Sequence, residues 1–219
     1  MSNKVLITGL PNTGKTTLTK DLKNALVFAR DDKLYSLAQP HYNVPDFTHI
    51  SEMENIVGKK LDEYKERFKK SPETLVFDSV SRVQTDIEIN CKEKFKNFDV
   101  WSNQDVQIKR FTKMISNLEI ADYNIVLIAH AVWDADAGKY IETCKGAFAK
   151  VGGFLSTVDH AIYLEVLGNK RLAHFRNHNL SRTLLPDLPE KIDVNELNLQ
   201  WYVEQIRAQS NDVEKKWAI

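Results

Sequence analysis

Only two cysteines, Cys91 and Cys144, occur in 219 residues, far apart and in no metal-ligand spacing. That argues against a disulfide scaffold and against a zinc-type cluster, and fits a reducing compartment. An excess of either charge is missing too. Thirty lysines and arginines balance thirty aspartates and glutamates. With no global field, contact with nucleic acid must come from a local patch. No apolar run reaches the length of a membrane span, and no charged-then-apolar leader precedes the first apolar run, so no membrane partner is expected and the cytoplasm is the expected location. Internal repeats and low-complexity tracts are absent as well. The remaining composition, 42% hydrophobic and 27% charged, suits one large α/β domain over 1–195 with a helical tail over 196–219.

What is present in strength is Gly9-Leu10-Pro11-Asn12-Thr13-Gly14-Lys15-Thr16-Thr17, placed after the apolar Val5-Leu6-Ile7 and before a helix-like segment. Gly, four residues, Gly-Lys-Thr between a strand and a helix is the phosphate-binding loop pattern. The two glycines permit backbone geometry that a β-carbon would block. Successive N–H groups turn inward as an anion nest, and the helix predicted over 15–24 adds its positive end. In this pattern Lys15 reaches the β- and γ-phosphates, the Thr16 hydroxyl serves Mg2+, and Thr17 lies near the α-phosphate. The expected ligand is a nucleoside triphosphate.

Three further strand ends converge on that loop, because ligands of open α/β sheets sit beyond the carboxyl ends of the strands. Ala25 to Ala29 is an apolar run ending at Arg30-Asp31-Asp32. Either aspartate can orient or deprotonate an attacking water or hydroxyl, or merely cap a helix or face solvent. Thr74-Leu75-Val76-Phe77-Asp78-Ser79 is a buried strand ending in an acid, which places Asp78 on the metal and Ser79 beside it. Asn124 to Ala129 ends in His130, a candidate sensor of the γ-phosphate or a satisfied structural histidine.

Between these runs the pattern predicts a short strand at Phe47–Ile50. It also predicts a helix over 52–70 opened by a Ser51/Glu54 capping box, and two helices over 81–120 with a break near 97–102. The basic and aromatic residues of 81–120, such as Lys92, Lys96, Phe98, Trp101 and Phe111, suit either an amphipathic pair or a surface that stacks bases. No periodicity persists over 132–153. A hairpin comes next, 158–166 and 171–176 around Gly168-Asn169, then a proline-containing extension over 183–193 and a polar helix over 194–219. Residues 139–182 alone show a clear basic excess, including Lys145, Lys150, Lys170, Arg171 and Arg176.

The Gly9–Thr17 loop, "LVFDS", "VLIAH" and the later "GGFLSTVDHAIYLEV" together resemble the RecA-like branch of P-loop ATPases. They resemble most the compact phage and prophage ATP-binding proteins implicated in single-strand annealing or recombination. The resemblance covers about 3–195. It implies a mostly parallel sheet with helices on both faces and a C-terminal β-hairpin, with one strand between the Gly9 and Asp78 strands. It implies ATP hydrolysis with Mg2+, catalytic Lys15, Asp78 and His130, and host cytoplasm for a phage protein. Homo-oligomers acting on single-stranded DNA are implied too, with Lys170, Arg171 or Arg176 completing a neighbour's site and Lys145 and Lys150 near DNA. One departure stands out: the family's glutamate after the first helix is replaced by Asp31 or Asp32. "VFARDDKLYSL" also resembles P-loop polynucleotide kinases, in which Asp31 would activate an acceptor hydroxyl and the Gly9 and Asp78 strands would be neighbours. A nucleotide-dependent assembly module with negligible turnover is the third reading.

Overall fold

The computed structural model describes residues 3–30 and 37–217, with side chains through Asn211. Its strands are β1 (Lys4–Gly9), β2 (Ala25–Ala29), β3 (His41–Asn43), β4 (Thr74–Asp78), β5 (Asn124–Ile128), β6 (Ala131–Asp134), β7 (Lys139–Glu142), β8 (His160–Leu167), β9 (Lys170–His174) and β10 (Lys191–Asp193). Its helices are α1 (Lys15–Leu18), α2 (Ile50–Phe68), α3 (Val80–Lys94), α4 (Phe98–Ile120), α5 (Gly146–Lys150) and α6 (Leu199–Trp217). Eight strands form one sheet in the order β10-β9-β8-β1-β5-β4-β2-β3, and β6 and β7 pair separately. All pairings from β8 through β3 are parallel, while β9 and β10 add antiparallel strands at one edge.

The central strands read as unbroken apolar runs because both their faces are covered. Successive side chains alternate between the faces. Leu6, Phe28, Leu75, Phe77, Ile125 and Leu127 enter one cluster with apolar side chains of α2, α3 and α4, such as Met53, Val83 and Phe111. Within it Phe77 lies 5.3 Å from Phe28 and meets Phe111 edge-on at 6.3 Å. Val5, Ile7, Val27, Val76, Val126 and Ile128 enter the other cluster with Leu18 and Leu22, and with Leu199, Tyr202, Val203 and Ile206 of α6. The C-terminal helix is thus one of the layers covering the sheet, anchored through residues that are fully or almost fully buried.

Several local expectations are corrected. The first helix is one α-helical turn followed by a 3-10 turn, Thr19–Asp21, so its dipole at the loop is small. Phe47–Ile50 is not a strand. Phe47 and Ile50 are buried, and Ile50 opens α2, its N–H donating to Gln107 Oε1 at 2.9 Å. The cap of α2 is His49, whose ring accepts from Ser51 N, and Thr48 pairs with Glu52. The break between α3 and α4 falls earlier than expected, at Phe95–Asn97. In α4 Phe111 is buried, but Phe98 is 79% and Trp101 54% exposed, so the aromatics of this region are not all core. The aperiodic stretch after His130 holds the β6–β7 hairpin and α5, and the 183–193 extension holds β10. No helix among the described residues is long and apolar enough to cross a membrane.

Candidate active site

Strand order brings the site together. β5 lies between β1 and β4, with Ile128 level with both Ile7 and Asp78. β1 and β4 are therefore about 10 Å apart, two strand spacings. The loop after β1 crosses that gap, and Thr16 Oγ1 donates to Asp78 Oδ2 at 2.5 Å. Asp78 is only 7% exposed.

The loop itself is tightly folded. A Cβ on Gly9 would meet the Leu164 carbonyl at 2.6 Å and Thr13 Oγ1 at 2.7 Å. Gly14 has φ 95°, in the left-handed region that favours glycine. Thr13 Oγ1 donates to Leu10 O at 2.9 Å. Lys15 Nζ curls over the loop and donates to Gly9 O at 2.9 Å and Leu10 O at 2.7 Å. The backbone N–H groups of Asn12, Thr13 and Gly14 donate to no group among the described residues. Three adjacent N–H groups with no partner among the described residues, beside a buried ammonium, fit a polyphosphate. Leu10, Pro11, Asn12 and Thr17 form the exposed side of the loop.

Mg2+ commonly takes one or two protein oxygens and completes its shell with phosphates and waters. The Thr16 hydroxyl and Asp78 carboxylate are such a pair. No cluster of three or more His, Cys, Asp or Glu suited to a metal occurs among the described residues. When bound there, Mg2+ would supply charge neutralisation across the β- and γ-phosphates.

His130 follows β5, the strand between loop and carboxylate, and is half-buried. Its N–H donates to Ser81 Oγ at 3.0 Å, and its carbonyl accepts from Thr143 N at 2.8 Å. Ser81 Oγ donates in turn to Thr143 O at 3.3 Å. Ser81 was not singled out from the sequence. It couples His130 to the first turn of α3 and to the segment after β7, a contact that no local pattern signals. Ser79 Oγ accepts from Arg82 N at 3.2 Å and caps α3, which starts at Val80.

Asp31 and Asp32 lie outside the described residues. Their neighbour Arg30 is a structural clamp. Its Nε donates to Asp86 and its Nη2 to Asp46, both at 2.6 Å, and Nη1 donates to Val44 O at 3.2 Å. Asp86 also pairs with Arg82 at 3.0 Å.

The basic candidates scatter. Lys145 is paired with Glu88 at 3.0 Å. Lys150 and Lys170 are exposed. Arg176 donates to the carbonyls of Leu185, Pro186 and Leu188 and holds that turn. Arg171 stands beside the loop of its own chain, Nη1 3.6 Å from where a Gly14 Cβ would be.

The β6–β7 hairpin, leaving directly from His130, folds back over β8 through Tyr140, whose ring is 5.8 Å from that of Tyr163. It leaves Trp133 54% exposed. At its end, buried Glu142 accepts from Phe154 N at 3.2 Å and Leu155 N at 2.9 Å, and burial pushes its carboxyl above the usual range.

A family model described as an AAA domain matches residues 1–183. A search of curated proteins finds no match.

Proposed function

The chain belongs to the AAA domain family, an ATP-binding P-loop fold, and from that premise we propose that it is a Mg2+-dependent ATPase of RecA-like type acting on single-stranded DNA. The observation that carries the proposal is the insertion of β5 between β1 and β4, with His130 two residues past its end. That strand order puts His130 on the segment leaving the strand that separates the phosphate loop from the acid. A water oxygen bonds the γ-phosphorus while the bond to the β–γ bridging oxygen breaks, releasing ADP and phosphate. Lys15 offsets the charge gathering on the bridging oxygen. Asp78 and Thr16 would hold the metal, which would supply charge neutralisation on the phosphates. Asp31 or Asp32, just past the end of β2, takes the proton of the water. His130 contacts the γ-phosphate and passes its presence, through Ser81 and Thr143, to the β6–β7 hairpin.

The DNA reading rests on that connection. Trp133 offers a π-face for a base, and the exposed Lys139 and Lys150 lie on the hairpin and on α5 after it. The proposed setting is recombination or annealing of the phage type, with the chain acting as a homo-oligomer in which an exposed lysine such as Lys170 faces the next subunit's nucleotide. The proposal predicts that single-stranded DNA binds in a salt-sensitive way and raises ATP turnover. If turnover ignores DNA and no binding appears at low salt, the DNA part of the proposal fails. The kinase reading, with Asp31 activating an acceptor hydroxyl, ranks second because it is the one associated with adjacent β1 and β4. An assembly module with negligible turnover would bind ATP and release no phosphate.

A further inference from the structure

A groove of about 440 Å³, including its open mouth, runs beside the phosphate loop, lined by Gly14, Thr17, Asp21, Arg171, Asn195 and Leu197. Gly14 and Thr17 belong to the loop, so phosphates held there put their sugar and base within reach of this groove. Among the described residues, neither the Arg171 guanidinium nor the Asp21 carboxylate has an ion pair or a side-chain hydrogen bond. Arg171 packs against the Gly14 backbone, with Nη1 and Cδ 3.6 and 3.9 Å from its would-be Cβ.

The far wall comes from beyond the matched domain. β10 pairs with β9, setting Asp193 opposite Leu172, the residue after Arg171. A 3-10 turn, Val194–Glu196, comes next, capped by Asp193 Oδ1 accepting from Asn195 N at 2.9 Å. Leu197 closes it, and α6 then locks onto the other wall. Gln200 Oε1 accepts from Lys23 N at 2.9 Å, and Leu199 and Tyr202 share a buried cluster with Leu18 and Leu22. Both walls are thus rigidly supported, and the pairing is non-local.

Resting on the nucleotide reading above, we infer that this groove takes the nucleoside of the bound triphosphate, and that the segment Val194–Leu197 completes the site. Arg171 supplies a planar cation to stack on the base. Asp21, an acceptor only, receives the sugar hydroxyls. Val194 and Leu197 give the apolar wall. Because the wall is carried between β10 and α6, nucleotide binding and α6 docking stabilise one another.

The test is displacement of a fluorescent triphosphate from the full chain by ATP and by inorganic tripolyphosphate. Asn195 is exposed on the turn, so Asn195→Trp fills the groove without touching the core. ATP is expected to bind Asn195→Trp roughly tenfold more weakly or worse, a difference of about 1.4 kcal/mol, while tripolyphosphate binds unchanged. Arg171→Ala serves as a second variant with the same direction for ATP. ATP added to the wild type is expected to slow backbone hydrogen exchange across 194–206. If both variants bind ATP like the wild type while Lys15→Ala does not, the nucleoside lies elsewhere and the inference is overturned. If Lys15→Ala itself binds ATP like the wild type, the underlying nucleotide reading has failed instead.

Discussion

Replacing Gly9 by alanine adds a methyl group at the tightest point of the loop. The new carbon would sit 2.6 Å from the Leu164 carbonyl oxygen and 2.7 Å from Thr13 Oγ1. Ordinary contact requires a retreat of about 1 Å. Thr13 can rotate away, which breaks its bond to Leu10 O and costs about 1 kcal/mol. The Leu164 carbonyl cannot, because Leu164 is fully buried in β8 and paired opposite Gly9. Overpacking against fixed backbone costs about 1–3 kcal/mol. The sum, about 2–4 kcal/mol, lies within the stability of an ordinary domain, so Gly9→Ala should fold. It should unfold at lower urea concentration by circular dichroism and lose triphosphate binding, because the loop must shift. A Gly9→Ala protein with the wild-type midpoint and wild-type nucleotide affinity would refute the packing described for β1, β8 and the loop.

Gly58 is the contrasting glycine: it lies in α2, and a Cβ there meets nothing within 4 Å. Gly58→Ala should raise stability by about 1 kcal/mol in the same urea assay. Asp86 holds both Arg30 and Arg82, and the Arg30 side chain is only 12% exposed. Asp86→Ala leaves Arg30 only Asp46 and the Val44 carbonyl and should cost about 1.5–3 kcal/mol, seen as a drop in the unfolding midpoint. His160 is fully buried beside Tyr202, and burial pulls its pKa from 6.5 down to about 4. The unfolded chain therefore takes a proton that the folded chain refuses. Stability from this site is complete above pH 6.5 and is lost as pH falls towards 4, by up to about 3 kcal/mol. His160→Gln should flatten that part of the stability–pH curve, measured as the difference between the two proteins.

The parallel sheet was legible because its strands are buried on both faces and read as plain apolar runs, as in Val5–Ile7, Leu75–Phe77 and Ile125–Ile128. The edges were not. β3 and β10 have three residues each and mostly exposed or half-exposed side chains, and each packs a single apolar side chain, Tyr42 or Ile192, against the core. The β6–β7 hairpin hid because its strands have four residues each and mostly exposed or half-exposed side chains, with no apolar run to mark them. Asp134 Oδ1 accepts from the N–H groups of Asp136 and Ala137, and Trp133 meets Tyr140 across the strands at 5.1 Å. Phe47 and Ile50 looked like a strand because two buried residues three apart also fit a helix entrance. In the site, the loop, Asp78 and His130 were readable because each ends a recognisable strand. Arg171 was named only for a neighbour's site and the 194–197 turn not at all, because both reach the loop of their own chain only through the antiparallel register of β8, β9 and β10. The hold of Arg176 on the 185–188 turn was equally hidden: its partners are backbone carbonyls ten or so residues on, which composition cannot show.

The central claim is that Lys15, Thr16 and Asp78 hold a triphosphate whose γ-phosphate goes to water. Following the γ-phosphate of labelled ATP with Mg2+ tests it directly, with and without single-stranded DNA and with acceptor hydroxyls present. The expected result is inorganic phosphate, formed faster with DNA and abolished in Lys15→Ala and Asp78→Asn. Label appearing on a hydroxyl acceptor, or phosphate release that survives Lys15→Ala, would contradict it.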